Sequence, residues 1–146
     1  MALKIVKEHN PNIKLVLFGE PERNNELNGL KDLGDFEFHL YPVKNKLREI
    51  YNSLDIFVFS SCSEGFGNPP MEAMACGTAV VSTNVGAIPD YSLQGKTILA
   101  STPHNPEALA KNIIELIENE DKRKNLAING HKYIKSFNWE DSTKIW

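Results

Sequence analysis

The chain has 146 residues, 41 % of them hydrophobic, and a formal net charge of −3. That length suffices for one α/β core and is short for two domains of ordinary size. Scattered Lys and Arg on an acidic chain offer no basic face to neutralise a phosphate backbone, which argues against nucleic acid and leaves small molecules as ligands.

Residues 2–9 read as a helix with no strand before it, so the chain is expected to begin in the middle of a βα unit. Ile13-Lys14-Leu15-Val16-Leu17-Phe18, ending at Gly19, is short and densely apolar, as a parallel strand buried on both faces is. A helical pattern over residues 24–33 follows. Phe36-Glu37-Phe38-His39-Leu40 is the second strand expected, and residues 46–54 form a helix with Leu47, Ile50, Tyr51 and Leu54 on one face. Ile56-Phe57-Val58-Phe59, Thr78-Ala79-Val80-Val81-Ser82 and Thr97-Ile98-Leu99-Ala100 complete five strands, with a helix over residues 70–76 between the first two of these three. Strand and helix alternate, which predicts a parallel sheet with helices on both faces and a ligand outside the carboxyl ends of the strands.

Pro106 starts a closing helix with Leu109, Ile113, Leu116 and Ile117 at helical spacing, and residues 122–135 form another. Residues 139–146 read as the start of one more helix, so both ends look like cuts through a longer fold. No apolar run approaches the roughly 18 to 20 residues that cross a bilayer, and MALKIVKEHN lacks the apolar core of a signal peptide, so a cytoplasmic place is expected. Cys62 and Cys76 make no disulfide framework and are expected reduced and semi-buried. His9, His39, His104 and His131 show no pairing with each other or with Cys at metal-ligand spacing, so no metal is expected.

Chemistry concentrates in Ser60-Ser61-Cys62-Ser63-Glu64-Gly65-Phe66-Gly67-Asn68-Pro69-Pro70-Met71-Glu72-Ala73-Met74-Ala75-Cys76-Gly77, between a strand and a helix. Gly65 and Gly67 let the backbone approach a ligand closely, and the prolines suit the first turn of a helix. Prolines have no N–H, so the donors expected free at the helix start are those of Met71, Glu72 and Ala73, where the dipole favours a diphosphate. Glu64 and Glu72, at opposite ends of this joint, are acceptors suited to vicinal diols such as sugar or ribose hydroxyls. The bland alternatives are a solvated loop carboxylate for Glu64 and, for Glu72, a charge in the first turn of its own helix, worth about 0.3–1 kcal/mol.

Glu64-Gly65-Phe66-Gly67, with Glu72-Ala73-Met74-Ala75-Cys76-Gly77 at its interval and Val80-Val81 beyond, resembles the group 1 glycosyltransferases, a retaining family with two Rossmann-like halves. The likeness extends to Tyr51 and Asp55-Ile56-Phe57-Val58, to Val85-Gly86-Ala87-Ile88-Pro89-Asp90-Tyr91 and to Pro106-Glu107-Ala108-Leu109-Ala110, and spans about residues 10–140. It implies the C-terminal, donor-binding half of a GT-B fold, as one domain over residues 1–146, with the N-terminal acceptor-binding half outside the chain. Glu64, the candidate catalytic residue, would bond the transferred sugar and Glu72 the ribose. Backbone N–H groups of Gly65, Phe66, Gly67, Asn68 and Met71 would face sugar and phosphates, with Gly19 at the end of the first strand beside them. Leu40-Tyr41-Pro42-Val43 stands where the family has a glycine loop, which puts Tyr41 and Val43 beneath the base and leaves UDP-, GDP- and ADP-sugars open as donors.

The resemblance further implies that the basic pair clamping the diphosphate lies before residue 1, that the isolated chain binds donors weakly and transfers no sugar, and that any peripheral membrane contact belongs to the other half. A nucleotide-sugar epimerase or a glycogen-synthase-like enzyme of the same fold is the nearest alternative. A non-catalytic nucleotide-binding module is the alternative from another class. A phosphoryl-accepting receiver would need an Asp ending its third strand, where Phe59-Ser60-Ser61 stands.

Overall fold

The structure is a computed structural model, and it describes residues 1–19 and 34–137. In chain order the elements are α1 (Ala2–His9), β1 (Leu15–Gly19), β2 (Phe36–Leu40), α2 (Lys44–Ser53), β3 (Ile56–Phe59), α3 (Asn68–Ala75), β4 (Ala79–Thr83), β5 (Leu99–Ser101), α4 (Pro106–Glu118) and α5 (Glu120–Ile134). The helices expected over residues 24–33 and 139–146 lie outside the described residues.

All strand pairs are parallel. Their hydrogen bonds divide them into a β1-β2 pair and a β3-β4-β5 sheet, where one continuous sheet was expected. Side chains join the two: the Phe18 ring of β1 meets Tyr51 edge-on at 5.5 Å and stacks on Phe57 of β3 at 6.0 Å. β1 is half-buried along its whole length rather than buried on both faces. The strand that meets that expectation is β4, buried at all five positions, because it is the middle strand of its sheet and both its faces are covered.

Alternation along the strands builds two cores. Phe57, Val80 and Ile98 face one side, where α2 contributes Tyr51, α3 contributes Ala73 and Met74, and α5 contributes Ile134. Ala79, Val81 and Leu99 face the other, against Val6 of α1, Leu109, Ala110, Ile113 and Leu116 of α4, and Leu126 of α5. Asn119 separates α4 from α5 and caps the latter, its side-chain oxygen accepting the Lys122 N–H at 2.9 Å. This is a Rossmann-like arrangement of parallel strands with helices on both faces, and it brings the carboxyl ends of the strands to a common edge. No helix among the described residues is long and apolar enough to cross a membrane.

Candidate functional site

The loop leaving β3 and α3 behind it occupy that edge. α3 begins at Asn68, two residues before the expected start, so Pro69 and Pro70 both sit inside its first turn, where a missing N–H breaks no intrahelical bond. The set of free amides changes accordingly. Glu72 and Ala73 fall one turn into the helix, opposite the carbonyls of Asn68 and Pro69. Asn68 remains at the opening, and Met71 carries the first N–H after the two prolines.

The same shift removes the bland reading of Glu72. As the fifth residue of α3 it lies beyond the first turn, which holds no acidic residue. Its carboxylate is exposed and accepts a hydrogen bond from the Tyr51 hydroxyl at 3.1 Å, while the Tyr51 carbonyl accepts from Thr78 Oγ1 at 2.7 Å. One oxygen of Glu72 is thus held by the Tyr51 hydroxyl. Glu64 is exposed in the loop before α3.

Between the two carboxylates the chain turns at Gly67, the N-cap, with φ +80, a left-handed conformation that favours glycine. The turn is held by residues distant in sequence. Thr83, ending β4, donates to the Ser61 carbonyl at 2.5 Å, the Ala87 N–H donates to the Gly65 carbonyl at 3.1 Å, and the Tyr91 hydroxyl donates to the Gly67 carbonyl at 2.5 Å. Gly86, with φ +56, lies so close that a Cβ on it would stand 2.5 Å from the Gly65 oxygen and 2.8 Å from the Glu64 oxygen. Phe66 is half exposed, its ring tilted against Tyr91 at 5.4 Å.

Gly19 and Tyr41 meet at the ends of β1 and β2, where the Tyr41 N–H donates to the Gly19 carbonyl at 3.1 Å. Tyr41 has φ +41, and both Tyr41 and Val43, the N-cap of α2, expose apolar side chains at 55 % and 74 %. Gly19, Tyr41 and Val43 therefore form one patch at the ends of β1 and β2, while Glu64, Gly65, Phe66, Gly67, Asn68, Met71 and Glu72 form the turn after β3. Thr83 and Tyr91, which support that turn together with Gly86, carried no role in the sequence reading; Tyr91 lay in a string noted only for its likeness.

One cysteine expectation needs correction. Cys62 is exposed rather than semi-buried, and its Sγ lies 3.6 Å from Nδ1 of His104, 42 residues away, because the loops after β3 and β5 share the same edge. Sequence spacing could not show this pair. No three metal-ligating side chains come together among the described residues. Two concavities lie elsewhere, of about 430 Å³ beside α5 and about 540 Å³ between α1 and α4, and no residue of the turn lines either.

Burial, and then the Glu72 carboxylate, raise the Tyr51 phenol above its ordinary value; burial and then Glu64 do the same for Tyr91. A phenol with a raised folded-state pKa holds its proton more tightly in the folded than in the unfolded chain. The resulting stability is complete below the ordinary value of about 10 and is lost as the pH rises beyond it. Urea unfolding should therefore show a lower midpoint at about pH 11 than at about pH 8, and Tyr51→Phe should flatten that fall.

A parallel α/β fold whose carboxyl edge carries a glycine turn, a helix start with two prolines and flanking carboxylates defines a small-molecule-binding domain of the Rossmann-like class. The family described as Glycosyl transferases group 1 matches residues 1–133, and the chain belongs to it. The capsular polysaccharide biosynthesis glycosyltransferase CapM of Staphylococcus aureus is 31 % identical over 152 residues, which covers 99 % of this chain and 38 % of that protein. The C-terminal domain of a glycosyl transferase group 1 family protein, LpcC, from Francisella tularensis superposes with a TM-score of 0.80 at 28 % identity, over 92 % of this chain and 75 % of that one. HepE of Anabaena, solved in complex with UDP-glucose, has the same fold, with a TM-score of 0.82 at 21 % identity over 99 % of this chain and 43 % of that one. The match spans between 22 % and 43 % of the length of these curated relatives.

Proposed function

We infer that this chain is the donor-binding part of a retaining glycosyltransferase, which moves a sugar from a nucleoside diphosphate sugar to a hydroxyl acceptor in cell-surface polysaccharide or glycolipid synthesis. The observation that carries this reading is the turn at Gly67. It brings the Asn68 and Met71 amides to the positive end of α3 and sets a carboxylate on each side of them. On this reading the amides receive the diphosphate and stabilise it as it leaves, Glu72 takes the ribose diol, and Glu64 bonds hydroxyls of the transferred sugar. Tyr41 and Val43 lie beneath the base. The name of CapM supports the polysaccharide assignment, and the HepE complex supports the donor class.

Residues 60–77 contain two carboxylates and neither Lys nor Arg, so the cations that neutralise the diphosphate come from elsewhere. The short span relative to the relatives fits a second half that binds the acceptor and any membrane surface; on this reading the reaction takes place in the cytoplasm and needs no metal. Titration of amide NMR shifts with UDP, GDP, ADP and their sugar conjugates tests the reading. One nucleotide should give saturable shifts at residues 65–73, and Glu72→Gln, which keeps an oxygen for Tyr51 but loses the charge, should weaken it about tenfold. If no nucleotide at millimolar concentration moved those amides, either here or in a longer protein bearing the basic pair, the reading would be wrong.

A further inference from the structure

Tyr51, in the last turn of α2, is 2 % exposed, and a buried phenol needs a partner for its hydroxyl. Its ring lies edge-on to Phe18 at 5.5 Å and to Phe57 at 5.3 Å, and its carbonyl accepts from the buried Thr78 hydroxyl at 2.7 Å. Ring and backbone are therefore fixed independently of the hydroxyl. That hydroxyl donates across to α3, where the Glu72 carboxylate accepts it at 3.1 Å. Burial and the same carboxylate keep the phenol protonated, so it stays a donor.

Glu72 itself is exposed. An exposed glutamate on a helix samples several rotamers, and a ligand that fixes it must offset the freedom lost. Among the described residues no Lys, Arg or His forms an ion pair with Glu72, so its direction comes from the anchored phenol. An ionised carboxylate has about four acceptor sites, and one bond to Tyr51 leaves enough for both hydroxyls of a diol. The geometry points to Tyr51 as a positioning residue for the ribose: its hydroxyl holds Glu72 ready for the diol before a nucleotide arrives. This inference rests on the donor-site reading above.

Tyr51→Phe keeps the ring contacts and leaves the exposed Glu72 to water, so it strands no buried polar group. Wild type and variant are titrated with whichever of UDP, GDP and ADP binds best and with its dideoxy analogue, which lacks the ribose diol. The chain, or a longer protein bearing the basic pair, serves for this. The variant should bind the diphosphate about three- to tenfold more weakly and the dideoxy analogue less than about twofold more weakly. A packing defect would weaken both ligands alike. Losses for the analogue as large as those for the diphosphate, no loss, or tighter binding by the variant would overturn the inference and leave the donor reading standing. A wild type that binds the analogue as tightly as the diphosphate would take the ribose off Glu72, and one that binds neither would overturn the donor reading, in each case with this inference. Should the variant not fold, the free wild type decides. Glu72 should populate one χ1 rotamer, read from three-bond couplings, whereas rotamer averaging contradicts the inference.

Discussion

Gly86→Ala should cost about 2–4 kcal/mol of stability and, in the folded fraction of a longer protein bearing the acceptor-binding half, reduce sugar transfer about a hundredfold. The first part follows from two strains acting together. A φ of +56 is unfavourable by about 1–2 kcal/mol for a residue with a Cβ, and that Cβ would stand 2.5 Å and 2.8 Å from the carbonyl oxygens of Gly65 and Glu64. Both neighbours are backbone, so neither can swing aside as a flexible side chain would. The second part follows from which backbone has to move. Gly65 and Glu64 belong to the donor turn, and the Ala87 N–H that braces the Gly65 carbonyl is the next residue along from Gly86. Gly95→Ala separates the two effects: at φ +75 with nothing within 4 Å of the added carbon, it should lose stability by about 1 kcal/mol and leave donor binding intact. Chemical denaturation with nucleotide titration measures both.

In the same longer protein, Glu64→Gln should reduce kcat/KM for transfer about a hundredfold while changing nucleoside diphosphate affinity less than about twofold. Glu64 is exposed, so its loss leaves the fold unharmed. The effect is confined to the sugar because, on the donor-site reading, Glu64 bonds the sugar hydroxyls while the nucleotide rests on α3 and Glu72. Two hydrogen bonds to a carboxylate, at about 1.5–3 kcal/mol each before overlap, account for such a loss. Equal weakening of the diphosphate and its sugar conjugate would move Glu64 off the sugar.

Local chemistry made most of the architecture legible. Phe36-Glu37-Phe38-His39-Leu40 and Ile56-Phe57-Val58-Phe59 are strands with the expected bounds, since short β-branched and aromatic runs between turn residues suit a pleated, half-buried surface. The closing helix from Pro106 holds for a like reason: three of its four apolar positions are fully buried against β4 and β5. Misreadings arose where a residue's role depends on a partner far along the chain. Nothing local shows that β1 hydrogen-bonds only to β2 among the described strands, that Cys62 meets His104, or that Tyr91 reaches Gly67 across 24 residues. The start of α3 was set too late for a different reason. Two consecutive prolines mark a helix's first turn without showing which positions of that turn they fill, and the left-handed Gly67 that decides it depends on Tyr91 and Ile88 packed beside it.

A crystal structure of the chain with a bound nucleoside diphosphate sugar tests the central claim most directly. The account predicts phosphate oxygens within hydrogen-bond reach of the Asn68 and Met71 amides, the ribose on Glu72, the sugar on Glu64 and the base over Tyr41 and Val43. A ligand seated in the concavity between α1 and α4 or in the one beside α5, with residues 64–72 untouched, would contradict it.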